Sequence, residues 1–367
     1  MFLTKLLLYG LVFVITVVGM KDNDGLETGF EKYKHFIRGG PHVFIIGAQK
    51  CGTTSLHHLL MDHPSFCPSV YKEIHYFDRT ENWSKGAGYY LAHFKTSSAK
   101  CLPDKKETKA MNTTTTGSSM KSIYLDATPD YFTNLLAPAR IFQSFRAKER
   151  AKKKFILIVR EPVSREFSWY NHRVRLCTNA IHEELRRQWK RGSDDIAAQT
   201  SKLCADKHCK YLKCQENAHD VLLKKEKITL ANFTEYYQTG GLVPSKSQYM
   251  THLNHWLKYF PRNQFFIINL STLLTNTSDT VHRLTQFLGI PPFPASKMAN
   301  GTIVLPHENS ARVFTTFDCA VRSELYPFYE QENNDLLEFM KSASFNSTFE
   351  PPFPSFQIQP CRPGQMF

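Results

Sequence analysis

Lys50 lies in the run Val43-Phe44-Ile45-Ile46-Gly47-Ala48-Gln49-Lys50-Cys51-Gly52-Thr53-Thr54-Ser55, whose residue types suit the binding of an anion. Val43 to Ile46 is a continuous apolar stretch, the pattern of a strand buried on both faces. Gly47 interrupts it, and Leu56, Leu59 and Leu60 then recur at helical spacing. A strand feeding a glycine-containing turn and a helix start leaves backbone N–H groups unpaired and directs the positive end of the helix dipole at a ligand. Lys50 adds a full charge, and Thr53, Thr54 and Ser55 add hydroxyl donors; Cys51 and Gly52 complete the loop. The order Gly47-x-x-Lys50-x-Gly52-Thr53-Thr54 differs from the nucleoside-triphosphate loop, where Lys directly follows the second Gly and precedes Ser or Thr. A turn that binds nothing is the plain alternative for this stretch taken alone.

Two further groups carry chemistry. Arg160-Glu161-Pro162-Val163-Ser164-Arg165-Glu166-Phe167-Ser168 follows the apolar run Phe155–Val159. Arg160 leaves a strand end with a planar fork suited to phosphate, and Ser168 sits two turns along the next helix with a hydroxyl to donate. Lys72-Glu73-Ile74-His75-Tyr76-Phe77-Asp78 holds a carboxylate and an imidazole two positions apart. Burial in a cleft raises a carboxyl pKa, and at Glu73 the adjacent Lys72 opposes the rise; a surface ion-pair partner is the plain alternative for this residue. His75 is a second candidate base, although a lone His beside Tyr and Phe is more often packed. No carboxylate cluster suits Mg²⁺, so no metal is expected. Tyr249, Trp256 and Phe260 recur at helical spacing and read as core.

These segments together resemble the sulfotransferases that use 3′-phosphoadenosine 5′-phosphosulfate (PAPS). The first loop is similar to their 5′-phosphosulfate loop, and the second segment to their Arg-Asp-Pro-x-x-Arg-x-x-Ser-x-Tyr pattern. The resemblance implies that Lys50, Cys51, Gly52, Thr53, Thr54, Ser55, Arg160 and Ser168 hold the donor. It also implies that Lys50 stabilises the leaving oxygen and Glu73 takes the acceptor proton. Lys72–Asp78, Gly86–Phe94, Tyr249–Pro261 and Phe287-Leu288-Gly289 extend the likeness to the membrane-bound glycosaminoglycan enzymes, both the heparan sulfate group and the chondroitin 6-O branch. Where heparan sulfate enzymes tend to carry Glu-Lys-Thr-Pro, this chain has Asp126-Ala127-Thr128-Pro129, and the missing lysine brings it closer to the chondroitin branch. Their Cys-flanked Lys-Gly-Arg loop is also missing, with Lys297 or Arg312 as substitutes. The implied partner is an acidic glycan. A kinase of the nucleoside-triphosphate-loop class and a glycan-binding protein without catalysis are the alternatives.

The elements that must position these residues alternate. Apolar runs at 43–46, 122–126, 155–159 and 264–269 read as strands, separated by helical patterns at 56–62, 86–94, 137–148, 164–175 and 247–260 and followed by others at 279–288 and 323–340. Such alternation predicts an α/β domain with a central parallel sheet flanked by helices, the fold that the sulfotransferase resemblance also implies, with ligands at the carboxyl ends of the strands. The domain is placed at 41–350, with a basic Cys-rich insertion at 177–227, a Ser/Thr/Lys-rich loop at 97–121 and a Pro-rich tail at 351–367.

The chain has 367 residues, 42 % of them hydrophobic, enough for one large α/β domain. Leu6 to Met20 is uncharged and follows Lys5; it is short for a span of ~20 residues. We read residues 1–20 as a short signal anchor with Lys5 cytoplasmic, or else a cleaved signal peptide, and 21–40 as a stem. Either reading places the catalytic part in the secretory pathway, as a type II Golgi membrane protein if the anchor is kept. Asn-x-Ser/Thr sites at Asn82, Asn112, Asn232, Asn269, Asn276, Asn300 and Asn346 agree. So do nine cysteines, of which the loop residue Cys51 is expected to stay free. The formal charge of +13 is clustered, notably at 146–154. It favours a polyanionic partner, and the compartment excludes nucleic acid.

Overall fold

The computed structural model describes residues 37, 40–67, 69–94, 123–172, 246–306 and 325–341. The N-terminal segment and stem, the 97–121 loop, the Cys-rich insertion, Arg312 and the Pro-rich tail lie outside the described residues.

The apolar runs form a five-stranded parallel sheet in the order β2-β3-β1-β4-β5. Its strands are β1 (Val43–Gly47), β2 (Phe66–Cys67), β3 (Ile123–Ala127), β4 (Lys154–Val159) and β5 (Phe265–Asn269). Every residue of β1 and β5 is buried, as parallel strands covered by helices on both faces require. Around the sheet run α1 (Thr53–Asp62), α2 (Thr80–Trp83), α3 (Gly86–Ala92), α4 (Ala137–Ser144), α5 (Ala147–Arg150), α6 (residues 162–172), α7 (Tyr249–Leu257), α8 (Leu270–Thr275), α9 (Thr277–Leu288) and α10 (Pro327–Lys341). From β1 the chain builds β2 and β3 on one side, then crosses to β4 and β5 on the other. The switch point of the sheet therefore lies between the carboxyl ends of β1 and β4, where an open parallel sheet offers a crevice.

Two expectations are corrected. The helix expected over 137–148 breaks at Phe145, whose backbone is extended and whose ring is drawn into the core beneath the Lys153 ammonium, 3.6 Å away. The strand β2 was not foreseen, because two residues are too few to display a period. Aromatic packing anchors the sheet: Phe155 stacks on Phe44 and Phe265 at centroid distances of 5.5 and 5.1 Å. Trp256 and Phe260 belong to this core, and the Trp256 indole N–H donates to the Phe132 carbonyl at 3.0 Å. Among the described residues no helix is long and apolar enough to cross a membrane.

Candidate active site

The site begins where β1 runs out. A Cβ at Gly47 would stand 2.6 Å from Phe132 Cβ and 3.1 Å from the Pro129 carbonyl oxygen, so only glycine lets the strand end pass there. The chain then reverses through two left-handed residues, Lys50 (φ 68°) and Gly52 (φ 82°). Gly52 is the N-cap of α1, with no side chain capping the helix and no acid in its first turn. The first intrahelical bond runs from the Leu56 N–H to the Gly52 carbonyl, which leaves the amides before it directed outward.

β4 ends beside this turn. Glu161 caps α6: its carboxylate accepts from the Val163 N–H at 2.9 Å and the Ser164 N–H at 2.8 Å, with Pro162 in the first helical position. Arg160 donates from Nη1 to the Lys50 carbonyl at 3.4 Å, tying the strand end to the loop. Tyr249 holds the Arg160 backbone on both sides, donating to its carbonyl at 2.8 Å and accepting from its N–H at 3.3 Å. Arg165 is fully buried, ion-paired with Glu166, and donates to Ser247 Oγ at 2.5 Å and to the Gln49 carbonyl at 3.4 Å. Neither Tyr249 nor Arg165 was foreseen in this supporting role; the spacing of Tyr249 spoke only of core.

A cleft of about 370 Å³ opens between these elements. Of the residues singled out from sequence, Lys50, Gly52, Thr53, Thr54, Ser55, Glu73, Arg160 and Ser168 line it together. Gln49, Trp169 and His172 join them, with Leu270, Leu274 and Leu305 as an apolar wall. Cys51 is turned the other way. Its side chain is buried with Sγ 3.7 Å from the Tyr249 hydroxyl, its amide donates to the Ala48 carbonyl at 3.2 Å, and burial pushes its thiol pKa up. Its thiol is packed in the core and does not line the cleft.

His75 stands behind Glu73 instead of on the cleft wall. Its Nδ1 lies 2.7 Å from Asp78 Oδ2 and its Nε2 lies 3.4 Å from Glu73 Oε2, while Lys72 Nζ lies 2.7 Å from Glu73 Oε1. Burial alone would raise the Glu73 pKa, but the hydrogen bond from His75 and the Lys72 charge outweigh it and hold the carboxyl at about 2. Burial would likewise depress His75, but Asp78 and Glu73 outweigh it and raise the imidazole to about 9. Two expectations change accordingly. The Glu73 carboxyl is lowered where desolvation alone suggested a rise, and at neutral pH both ring nitrogens of His75 carry protons facing carboxylates. An imidazolium so bonded has no free lone pair with which to take a proton.

Glu73 (φ 66°) and His75 (φ 54°) both hold left-handed backbone, which non-glycine residues seldom adopt. Asn82 steadies them, donating from Nδ2 to the His75 carbonyl at 3.0 Å and to the Ile74 carbonyl at 3.4 Å. His75, Asp78 and Asp130 bring ligand-type atoms within 4.8 Å of one another. His75 Nδ1 and Asp78 Oδ2 are bonded to each other and Asp130 accepts from Lys246 at 2.7 Å, while Asp78 Oδ1 is buried without a hydrogen-bond partner among the described residues.

Residues 40–302 match the family model described as "Sulfotransferase domain". The chain belongs to the sulfotransferase family. Among its relatives, heparan sulfate glucosamine 3-O-sulfotransferase 5 of Mus musculus is 27 % identical over 252 residues, covering 69 % of this chain and 54 % of that protein. Bifunctional heparan sulfate N-deacetylase/N-sulfotransferase 2 of Homo sapiens is 26 % identical over 258 residues, covering 69 % of this chain and 22 % of that protein. The chain thus spans about half the length of the first relative and about a fifth of the second. A crystal structure of a sulfotransferase from Alicyclobacillus acidocaldarius superposes with a TM-score of 0.48 at 18 % identity, covering 84 % of this chain and 99 % of that one.

Proposed function

We propose that this sulfotransferase moves the sulfuryl group of PAPS to a hydroxyl or amine of a glycosaminoglycan. The observation that carries the reading is the convergence of Lys50, the uncapped start of α1, Arg160, Ser168 and Glu73 on one cleft at the switch point of the sheet. The amides and hydroxyls of Thr53, Thr54 and Ser55 suit the 5′-phosphosulfate, and Arg160 with Ser168 suits the 3′-phosphate. Lys50 faces the charge that builds on the bridging oxygen as the S–O bond to the 5′-phosphate breaks. Glu73 accepts the proton of the acceptor as the new bond to sulfur forms, and the desulfated nucleotide leaves. Its low pKa keeps it ionised and ready to accept at neutral pH. No step requires a metal.

The relatives support an acidic glycan acceptor, and those named above act on heparan sulfate. Ala127, buried at the end of β3, leaves chondroitin or dermatan sulfate as the second acceptor class. We place the protein in the Golgi lumen, anchored through residues 1–20. Cys67 is disulfide-bonded, and the Asn-x-Ser/Thr sequences at Asn276 and Asn300 are exposed, which supports an oxidising, glycosylating compartment. Asn269 does not serve as such a site: it is buried and caps α8, accepting from the Ser271 N–H at 2.9 Å. α10 packs on α7 through Glu332 and the Thr251 N–H at 2.9 Å, which supports a domain reaching past residue 302.

Incubation of the protein with labelled PAPS and a panel of desulfated heparan, chondroitin and dermatan chains tests the reading. Label on one class names the acceptor. Binding of 3′-phosphoadenosine 5′-phosphate (PAP) with no label on any chain would leave a glycan-binding protein on the same fold.

A further inference from the structure

Asp126, at the end of β3, is a fully buried carboxylate with no ion-pair partner among the described residues. Three hydroxyls serve it instead: Tyr90 at 2.7 Å and Tyr131 at 3.0 Å on Oδ2, and Thr128 at 2.7 Å on Oδ1. Burial pushes its carboxyl up to about 6 against the pull of these three bonds. A buried anion without a cation is costly, and an apolar residue would pack in its place. Asp126 lines no part of the cleft, so the reason for it lies in what its hydroxyl partners touch.

Tyr131 leads to the site. Its single hydroxyl proton is given to Asp126, which turns an oxygen lone pair toward the Tyr76 N–H, 3.2 Å away. Tyr76 directly follows His75, whose ring is bonded to Glu73. Tyr90 completes the bracket from the other side, stacking on the Tyr76 ring at 4.6 Å. The anion fixes the direction of this chain of bonds: a partner that donated a proton to Tyr131 would release its O–H to turn toward the amide, where two donors would oppose each other.

We propose that Asp126 is a positioning residue for the Glu73 segment, acting through the Tyr131 hydroxyl on the Tyr76 amide. The left-handed backbone at Glu73 and His75 is held only while its surroundings enforce it, and this bond is part of what enforces it. The inference rests on the reading of Glu73 as the base, and it extends the site to a carboxylate that touches neither donor nor acceptor.

Three substitutions test it. Tyr131→Phe keeps the buried ring and removes the hydroxyl; Asp126→Asn keeps the shape and turns an acceptor into a donor. Tyr90→Phe takes a hydroxyl from the same carboxylate oxygen without touching the Tyr76 amide. Tyr131→Phe and Asp126→Asn should each lower kcat by about 10–10²-fold, the cost of a small misplacement of a reacting group. The acceptor KM and the affinity for PAP should stay unchanged, and hydrogen exchange should accelerate at the Tyr76 amide but not in β1. Tyr90→Phe should lower kcat less than either. Wild-type kcat in folded Asp126→Asn or Tyr131→Phe would overturn the proposal. Equal losses in Tyr90→Phe and Tyr131→Phe would also overturn it, since they would make the cluster a matter of stability alone. If Asp126→Asn fails to fold, the contrast between the two tyrosine variants decides. If the wild-type protein sulfates no glycan, the functional reading fails, while exchange at Tyr76 still decides whether the hold exists.

Discussion

Glu73 is surrounded by two cations, Lys72 and the His75 imidazolium, and is therefore a weaker base than a carboxylate in an apolar cleft. As the proposed base it would serve by placement rather than by basicity. Glu73→Gln should cost about 10²–10⁴ in single-turnover rate, the range for a positioned base, with calorimetric affinity for PAP unchanged. His75→Ala removes the hydrogen bond that most depresses the Glu73 pKa, so the acid limb of the pH–rate profile should move to higher pH than in the wild type. Stability carries the opposite signature. The folded pKa of His75 is raised from 6.5 to about 9, so its ion pairs stabilise fully below pH 6.5 and are lost as pH rises through 9. The melting-temperature gap between wild type and His75→Ala should accordingly close above that pH. Arg160 is tested on the donor side. Loss of a hydrogen bond to a charged group costs about 1.5–3 kcal/mol, so Arg160→Ala should weaken PAP binding by about 10–100-fold in calorimetry.

The turn after β1 works because a strand end slides beneath the turn at Pro129–Tyr131, and the Phe132 N–H donates to the Ile46 carbonyl at 2.9 Å. Gly47→Ala would press a methyl group against Phe132 Cβ, which that bond keeps from yielding. A loss of about 1–3 kcal/mol in unfolding free energy is expected, measured by denaturant titration. This strand–turn–helix unit was legible in the sequence because its signals are local: an apolar run, a glycine, then leucines at helical spacing. Arg160 and Ser168 were legible for the same reason. The support behind them was not. Tyr249 meets Arg160, and Arg165 meets Ser247, across long stretches of chain, and no spacing rule links such pairs. Nor does composition show that Glu73 and His75 stand in left-handed backbone, or that the effect of burial is reversed at Glu73 by His75 and Lys72 and at His75 by Asp78 and Glu73. Adjacency to Lys50 likewise said nothing of which way the Cys51 side chain turns.

At the scale of the whole molecule, a formal charge of +13 favours the polyanionic acceptor proposed above. Raising salt through the range where the Debye length falls from ~10 Å to ~3 Å should increase the acceptor KM steeply, with kcat little changed at saturation. Initial rates on long and short chains of the acceptor would check this, the long chain losing more. The central place of β1 also shapes the life of the nascent polypeptide. Chains emerge from the ribosome amino end first, and β1 is the earliest of the sheet's strands to appear. Its partners are residues 123–127 on one edge and 154–159 on the other, so both edges stay bare while the long intervening segment is made. Non-local pairing of this kind is slow. A growing chain of this protein thus offers a sticky apolar ribbon to chaperones well before it owns a cleft, and the site becomes whole only when the second half of the sheet docks against the first.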